Sequence, residues 1–387
     1  MNSFARMFFP IVFGSFVAAI AQAPAPGTGA APPKPRSPAA GGNPSGGEGD
    51  EYIVRLPMPA GARSPGLNAG PWRAPAPTAN QTQSGTDNSP KKQVERIRGM
   101  LRGRKFRELT AEAEAVQSRF EADLHREAEV ENWFEAFHTR FSPGLVDALF
   151  LEWERATPSS WAPMLARAYW KEDASVVKDL RRVVELNPKL LAAHSQLISI
   201  ASYPCDPVVL SAYLTKAIEQ CPGCYLVRRH YMLSIQPRTC GSWEQMDAFA
   251  QESLRYAKEN PRLTVLEGFS YWDRGRTKRE GRQPEEGLRL AMKSVEYGDD
   301  SAFYAARGNT YYALGRNAEA LSDLNFAVEL EPFNGYMYLW RLDAFAAMGN
   351  YPAASEDLKT AQALYYGRSM DEWAGQMRKW LASQVNR

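Results

Sequence analysis

The chain is short of the residues that most often carry chemistry. It has four histidines in 387 residues, His125, His138, His194 and His230, and none sits in a spaced ligand pattern such as His-Glu-x-x-His. No Gly-x-Ser-x-Gly elbow and no phosphate-binding glycine loop occurs after the N-terminal segment. Neither sign of charge is in excess: 46 Lys and Arg oppose 44 Asp and Glu, a net of +2, which leaves no global field to attract nucleic acid. No stretch alternates convincingly with the period of a strand. The one apolar run, residues 7–20, is interrupted by Pro10 and Gly14 and falls short of the roughly 20 residues a membrane span requires. These absences argue against a metal centre, a cofactor, a nucleic-acid surface, a sheet-based fold and an enzyme of a familiar motif class, although distant residues could still assemble a site.

The apolar run reads instead as a secretory signal over residues 1–21, with Arg6 before it and a small-x-small exit at Ala19-Ile20-Ala21, so cleavage after Ala21 and a periplasmic or secreted location are expected. The alternative is an uncleaved short anchor. Residues 22–92 hold 14 Pro and 11 Gly in 71 positions, too few large apolar groups to offset the entropy of ordering, and read as a disordered tether. Within it, residues 52–56 (Tyr-Ile-Val-Arg-Leu) form a short apolar island, and Asn80 opens a glycosylation sequon. The basic cluster Lys91, Lys92, Arg96, Arg98, Arg102, Arg104, Lys105 and Arg107 lies beside Glu95 and Glu108 and reads as a solvated helical edge.

From Gln93 onward apolar residues recur three and four apart, with Pro- and Gly-rich turns, which predicts an all-α chain. The strongest signal is in residues 301–334, where Tyr304, Gly308, Tyr311, Gly315, Ala320, Leu324, Ala327 and Pro332 are followed over 335–368 by Tyr338, Phe345, Gly349, Ala354, Leu358 and Ala361 at matching offsets. Small residues at Gly308 and Ala320 admit close helix contact, Gly315 admits a tight turn, and Pro332 stops the second helix. A looser unit starts at Pro261, with Gly268, Tyr271 and Gly275, then Gly287 and Ala291, and implies about seven inserted residues at 276–283 that form a basic loop. Ser369 and Glu372 form a capping box, after which Met370, Trp373, Met377, Trp380 and Leu381 line one face of a helix that shields the last repeat.

These two in-phase copies resemble the tetratricopeptide-repeat (TPR) superfamily. The resemblance implies a solenoid of helical hairpins that binds a protein or peptide partner in a concave groove. Its inward helix-A positions correspond here to Arg262, Phe269, Trp272, Asp273, Asn309, Tyr312, Tyr336 and Asp343. Ala305 and Leu339 stand where the carboxylate-clamp variety carries lysine, so that variety is not expected. Upstream, Tyr225-Leu226-Val227-Arg228-Arg229-His230-Tyr231-Met232-Leu233-Ser234, then Pro237-Arg238 and Gly241-Ser242, together with Phe150, Trp153, Pro158 and Ser159, resemble a TPR-like bacterial family of uncharacterised function, marked by a Pro-Arg-Trp-Gly-Gly-Ser turn. Here Thr239-Cys240 replace the Trp-Gly. The expected organisation is signal 1–21, tether 22–92, degenerate hairpins 93–260, repeats 261–368 and a capping helix 369–387.

Cys205, Cys221, Cys224 and Cys240 are spaced 16, 3 and 16. An exported chain makes disulfides the default. One helix is expected between Cys205 and Cys221 and another between Cys224 and Cys240, which would hold either of those pairs roughly 20 Å apart at 1.5 Å per residue. A nested pairing, Cys221 with Cys224 and Cys205 with Cys240, remains, and it argues against a four-Cys zinc site. The expected function is an exported interaction scaffold or assembly factor. The rivals are a thiol-disulfide oxidoreductase using Cys221 and Cys224, or another envelope enzyme, and a spacer without a ligand.

Overall fold

The computed structural model describes residues 71–74, 89–137, 143–171, 173–203, 205–364 and 368–385, all within one compact unit, Val54–Arg387. The expected signal, the 52–56 island, Asn80, His138 and the side chains of Ser369, Met370 and Glu372 lie outside the described residues. Those described are built from helices: α1 Pro90–Arg102, α2 Phe106–Ala122, α3 Glu127–Phe134, α4 Pro143–Ala156, α5 Ala162–Lys171, α6 Val177–Leu186, α7 Leu191–Ala201, α8 Pro207–Gln220, α9 Leu226–Ser234, α10 Trp243–Ser253, α11 Phe269–Glu280, α12 Pro284–Glu296, α13 Ser301–Ala313, α14 Asn317–Leu330, α15 Gly335–Ala347, α16 Tyr351–Leu364 and α17 Arg368–Val385, with a 3-10 stretch over Pro261–Gly268. Consecutive helices pack as antiparallel hairpins, most extensively α11 with α12, α13 with α14 and α15 with α16, so the fold is an all-α, TPR-like solenoid.

Close approach sets the repeat. A Cβ on Gly308 would lie 2.9 Å from Leu324 Cγ and 3.1 Å from Ala320 O, so α13 and α14 meet nearly backbone to backbone. The turn between them needs a left-handed residue, supplied by Gly315 at φ +76° and by Gly349, also at +76°, in the next hairpin. Each of these hairpins is also stapled by a bidentate ion pair: Arg307 to Asp323 at 2.7 Å for both bonds, and Arg341 to Asp357 at 2.8 and 2.7 Å. Both aspartates are buried, where paired, hydrogen-bonded geometry is needed to offset lost hydration.

The first unit differs from expectation. Residues 276–280 are not a loop but the last turns of α11, and Arg276 is buried. Arg282 takes the left-handed turn position at φ +62°, one repeat before Gly315. Gly275 faces Gly287, its Cβ position 3.1 Å from Gly287 O, as Gly308 faces Ala320. The hairpin therefore has no insertion. It begins seven residues later than the sequence reading placed it, and Pro261–Gly268 leads into it as a 3-10 segment.

The two ends of the array meet. Helix α1 packs on α16: Arg98 donates to Ala363 O at 2.7 Å and to Ala136 O at 2.8 Å. Following α16, Trp373, Met377 and Leu381 of α17 pack with Leu342, Ala354 and Leu358, while Trp380 stays 37% exposed with its ring edge-on to Tyr351. The expected tether also contributes. Helix α1 starts at Pro90, and Trp72 forms a backbone bridge to Gly298 while its indole packs against the core, burying area that its Pro- and Gly-rich neighbours cannot.

The cysteines lie as two close pairs, Cys221 with Cys224 at the α8–α9 turn (Cα–Cα 5.4 Å) and Cys205 with Cys240 at the open end (5.0 Å). Non-reducing peptide mapping of the oxidised protein should recover these two links, and a Cys205–Cys221 peptide would refute the nested hairpin. The outer link should contribute about 3–4 kcal/mol by loop closure. A second expectation concerns close approach. Gly308→Leu should cost about 3 kcal/mol or more in urea denaturation, whereas Gly315→Ala, with open space at its Cβ position, should cost only about 1–2 kcal/mol of backbone strain.

Candidate functional site

The eight inward residues expected from the repeat pattern divide into two groups. Phe269, Trp272 and Asp273 are buried and cannot serve as contact surface. Phe269 packs edge-on against Phe303 at 4.8 Å and Trp272 at 5.7 Å. The Asp273 carboxylate accepts from Trp243 Nε1 at 2.8 Å and from Arg276. Their misplacement follows from the seven-residue slip in register. Arg262 is held between the rings of Tyr225 (4.2 Å) and Trp72 (5.0 Å), 3.9 Å from Glu127, and so joins elements of the chain to one another.

Asn309, Tyr312, Tyr336 and Asp343 are half-buried on α13 and α15, as a groove floor requires. With the corrected register, Asn309 and Asp343 are the equivalents of Arg276 on α11, one and two repeats further along, and Tyr312 is equivalent to Arg279. The column Arg276–Asn309–Asp343 thus steps from cation through amide to carboxylate across the three inner helices. At the α11 end, Arg276 stacks on Trp272 at 4.6 Å and donates to Gln236 Oε1. Burial pulls its pKa down to about 10 despite Asp273. Arg238 and Arg279 lie nearby, with Glu280 between them at 3.2 and 3.7 Å. Three guanidinium groups therefore face two carboxylates, Asp273 and Glu280, a local excess of positive charge. The sequence reading placed Arg276 and Arg279 in an inserted basic loop rather than on α11. The signal was present in Gly287 and Ala291, which stand one repeat before Ala320 and Leu324.

Asp343 closes the other end alone. It retains some solvent contact, yet protein surrounds it, and among the described residues no cation or hydrogen-bond donor reaches its carboxylate. Burial pushes its pKa up to about 7. The nearby Tyr312 hydroxyl is pushed up to about 12 by burial and by Asp343. Tyr336 lies on the same helix, its ring 6.2 Å from Trp340.

A second concavity, a cleft of about 430 Å³, lies between α1–α3 and Phe333. Its charges are mutually satisfied: Arg96 pairs with Glu112 at 2.6 Å and Arg119 with Glu129 at 3.2 Å. It offers an apolar floor at Trp133 but little unbalanced charge. The cysteines give no reactive pair by geometry. Cys221 closes the C-terminal end of α8, the negative pole of a helix, which disfavours a thiolate, and Cys224 is fully buried. Among the described residues no cluster of His, Cys, Asp or Glu is arranged to hold a metal ion, and no helix is long and apolar enough to cross a membrane.

No protein-family model matches the chain, and no curated protein matches it. Among solved structures it is similar to Cut9–Hcn1, described as a hetero-tetramer of the APC/C, with 12% identity over 70% of this chain and 55% of that one at a TM-score of 0.33. The chain thus spans little more than half of that protein. It is also similar to the TPR2AB domain of yeast Sti1 in complex with pHSP90, with 14% identity, 72% and 99% coverage and a TM-score of 0.29. A third likeness is to a tetratricopeptide-repeat protein from Parabacteroides merdae, with 16% identity, 72% and 99% coverage and a TM-score of 0.34.

The isolation of Asp343 has a measurable consequence. Its pKa of about 7 in the folded chain lies above the unfolded value near 3.9, so the folded state holds the proton more tightly and loses stability as pH rises from about 4 to 7. Asp343→Asn should therefore match the wild type below pH ~4 and exceed it at pH 8 by on the order of 2–4 kcal/mol. Urea titrations across that range check this, and a difference independent of pH would mean that the carboxylate is already compensated.

Proposed function

We propose that the chain is an exported interaction scaffold that takes an extended segment of a partner protein along the inner faces of α11, α13 and α15. The observation that carries this reading is the change of sign along these faces, from the part-exposed Arg238 and Arg279 at the α11 end to the unpaired Asp343 on α15. A solvated peptide with a carboxylate near one end and a Lys or Arg further along complements both ends. An unpaired, desolvated carboxylate gains most from a cation, and a polar floor with flanking tyrosines can hydrogen-bond a backbone at low entropy cost. Export is part of the proposal. It is supported by the signal-like residues 1–21 and by four cysteines set in two close pairs, the pattern of an oxidising compartment.

The test is a peptide array probed with the full chain, followed by solution titration of the best binders. Bound sequences should combine an acidic group with a basic residue. Asp343→Lys should weaken them by about 2 kcal/mol, roughly 30-fold, while leaving the helical circular dichroism unchanged. Since binding a cation favours the ionised carboxylate, affinity should rise with pH between about 5 and 8. Indifference of every binder to Asp343→Lys would remove the groove from consideration.

A further inference from the structure

Trp72, Arg73 and Ala74 of the Pro- and Gly-rich segment sit against the repeats as a ligand sits in a site. Trp72 N–H donates to Thr264 Oγ1 at 3.4 Å, and Trp72 O accepts from Asp299 N at 3.1 Å. The Asp299 carboxylate then accepts from Ala74 N–H at 2.9 Å and Arg73 Nη1 at 2.7 Å, while Arg73 also donates to Val295 O at 3.0 Å. The Trp72 ring lies 5.0 Å from the Arg262 guanidinium. The receiving surface is shaped for a backbone. Gly298 adopts φ +144°, and a Cβ there would lie 2.7 Å from Trp72 O, so any side chain would displace the segment. Tyr304 Oη fixes Asp299 from the other side at 2.8 Å.

We propose that Thr264, Gly298 and Asp299, with Arg262 beneath the indole, form a peptide-binding site for an extended aromatic–arginine pair, filled in cis by Trp72–Arg73 and open to the same chemistry presented by a partner protein. The backbone pairing is that of strand addition, in which main-chain bonds hold the segment and side chains select it. Two features make the occupant exchangeable. Pro71 and Arg73 are exposed while Trp72 and Ala74 are half-buried, so alternate residues of the segment face the repeats. Arg73 is 48% exposed in its ion pair, and such pairs contribute little. Being part of the same chain, the cis segment competes with a peptide in solution through its effective concentration. The site is distinct from the α11–α15 column and does not depend on that reading.

The experiment uses the full chain. A fluorescein-labelled peptide of residues 69–76 is titrated into wild type and into a Trp72→Ala/Arg73→Ala variant, both checked by circular dichroism. The peptide should bind the variant at least about tenfold more tightly than the wild type, because the cis segment no longer competes. Adding Asp299→Asn or Thr264→Val to the variant should abolish that gain, and a peptide carrying Ala for Trp should not bind either protein. Equal affinity for wild type and variant, no binding to a folded variant, or a gain that survives both Asp299→Asn and Thr264→Val would each overturn the proposal and leave Trp72 as a fixed part of the fold.

Discussion

The buried carboxylate of Asp300 is the point on which the two halves of the molecule depend. It caps α13 by accepting from Ala302 N at 2.9 Å, takes Arg229 Nε at 2.7 Å and Nη2 at 3.1 Å, and accepts from the Tyr225 hydroxyl at 2.7 Å. Burial alone would raise its pKa, but Arg229, Tyr225 and the α13 backbone hold it below the usual carboxylate range. Arg229 reaches Glu331 as well, at 2.8 Å, so one guanidinium from α9 binds both ends of the α13–α14 hairpin. Desolvated pairs of this kind add little net stability over apolar packing, yet breaking one strands a charge at a cost of about 3–5 kcal/mol. The consequence is specificity of placement: α9 can dock in only one register against the repeats.

A chain of such contacts runs further back. Glu127 of α3 accepts from the backbone N–H groups of Tyr225 and Leu226 at the start of α9, with Oε2 at 3.0 Å from each. Burial pushes its pKa up to about 7, although Arg262 and those N–H groups favour the charge. Thus α3 caps α9, α9 clamps α13, and Arg262 links the same cluster to Trp72. Helix α1 is seated on α16 as well. A repeat array is held mainly through nearest-neighbour contacts, so this contact between helices distant in sequence is an addition to the repeat pattern.

Much of this was legible in the sequence, and the failures have a common cause. Gly308, Gly315 and Ala320 identify their hairpin because each answers a constraint that few residues meet: close approach, positive φ and a small contact. The preceding hairpin was misregistered because Gly268 and Gly275 stand seven residues apart, two helical turns, and so offer the same face. The residue that settles the register, Arg282, carries a side chain where the turn normally recruits glycine, although Gly281 and Pro284 flank it. The placement of Phe269 and Trp272 in a groove failed for a related reason. An aromatic residue on an inner helix fits a groove or a neighbouring helix equally well by pattern, and here Phe303 fills the space opposite. The long-range polar ties, Glu127 to α9 and Arg229 to Asp300, join residues 71 or more apart in sequence, which no periodicity encodes.

Asp299 and Asp300 are adjacent, yet one faces the Trp72–Arg73 segment and the other the interior clamp. Their division follows from helix geometry. Asp300 is the cap, so its side chain turns back over the first N–H groups of α13 and is committed inward. Asp299 precedes the cap and, though itself buried, turns its carboxylate to Arg73, Ala74 and Tyr304 instead. The outer carboxylate can change partners without disturbing the inner one, since Arg73 is half exposed and Arg229 is not. The start of α13 thus combines a fixed joint with an exchangeable contact, and Asn309, the middle member of the inner column, stands about two turns further along the same helix.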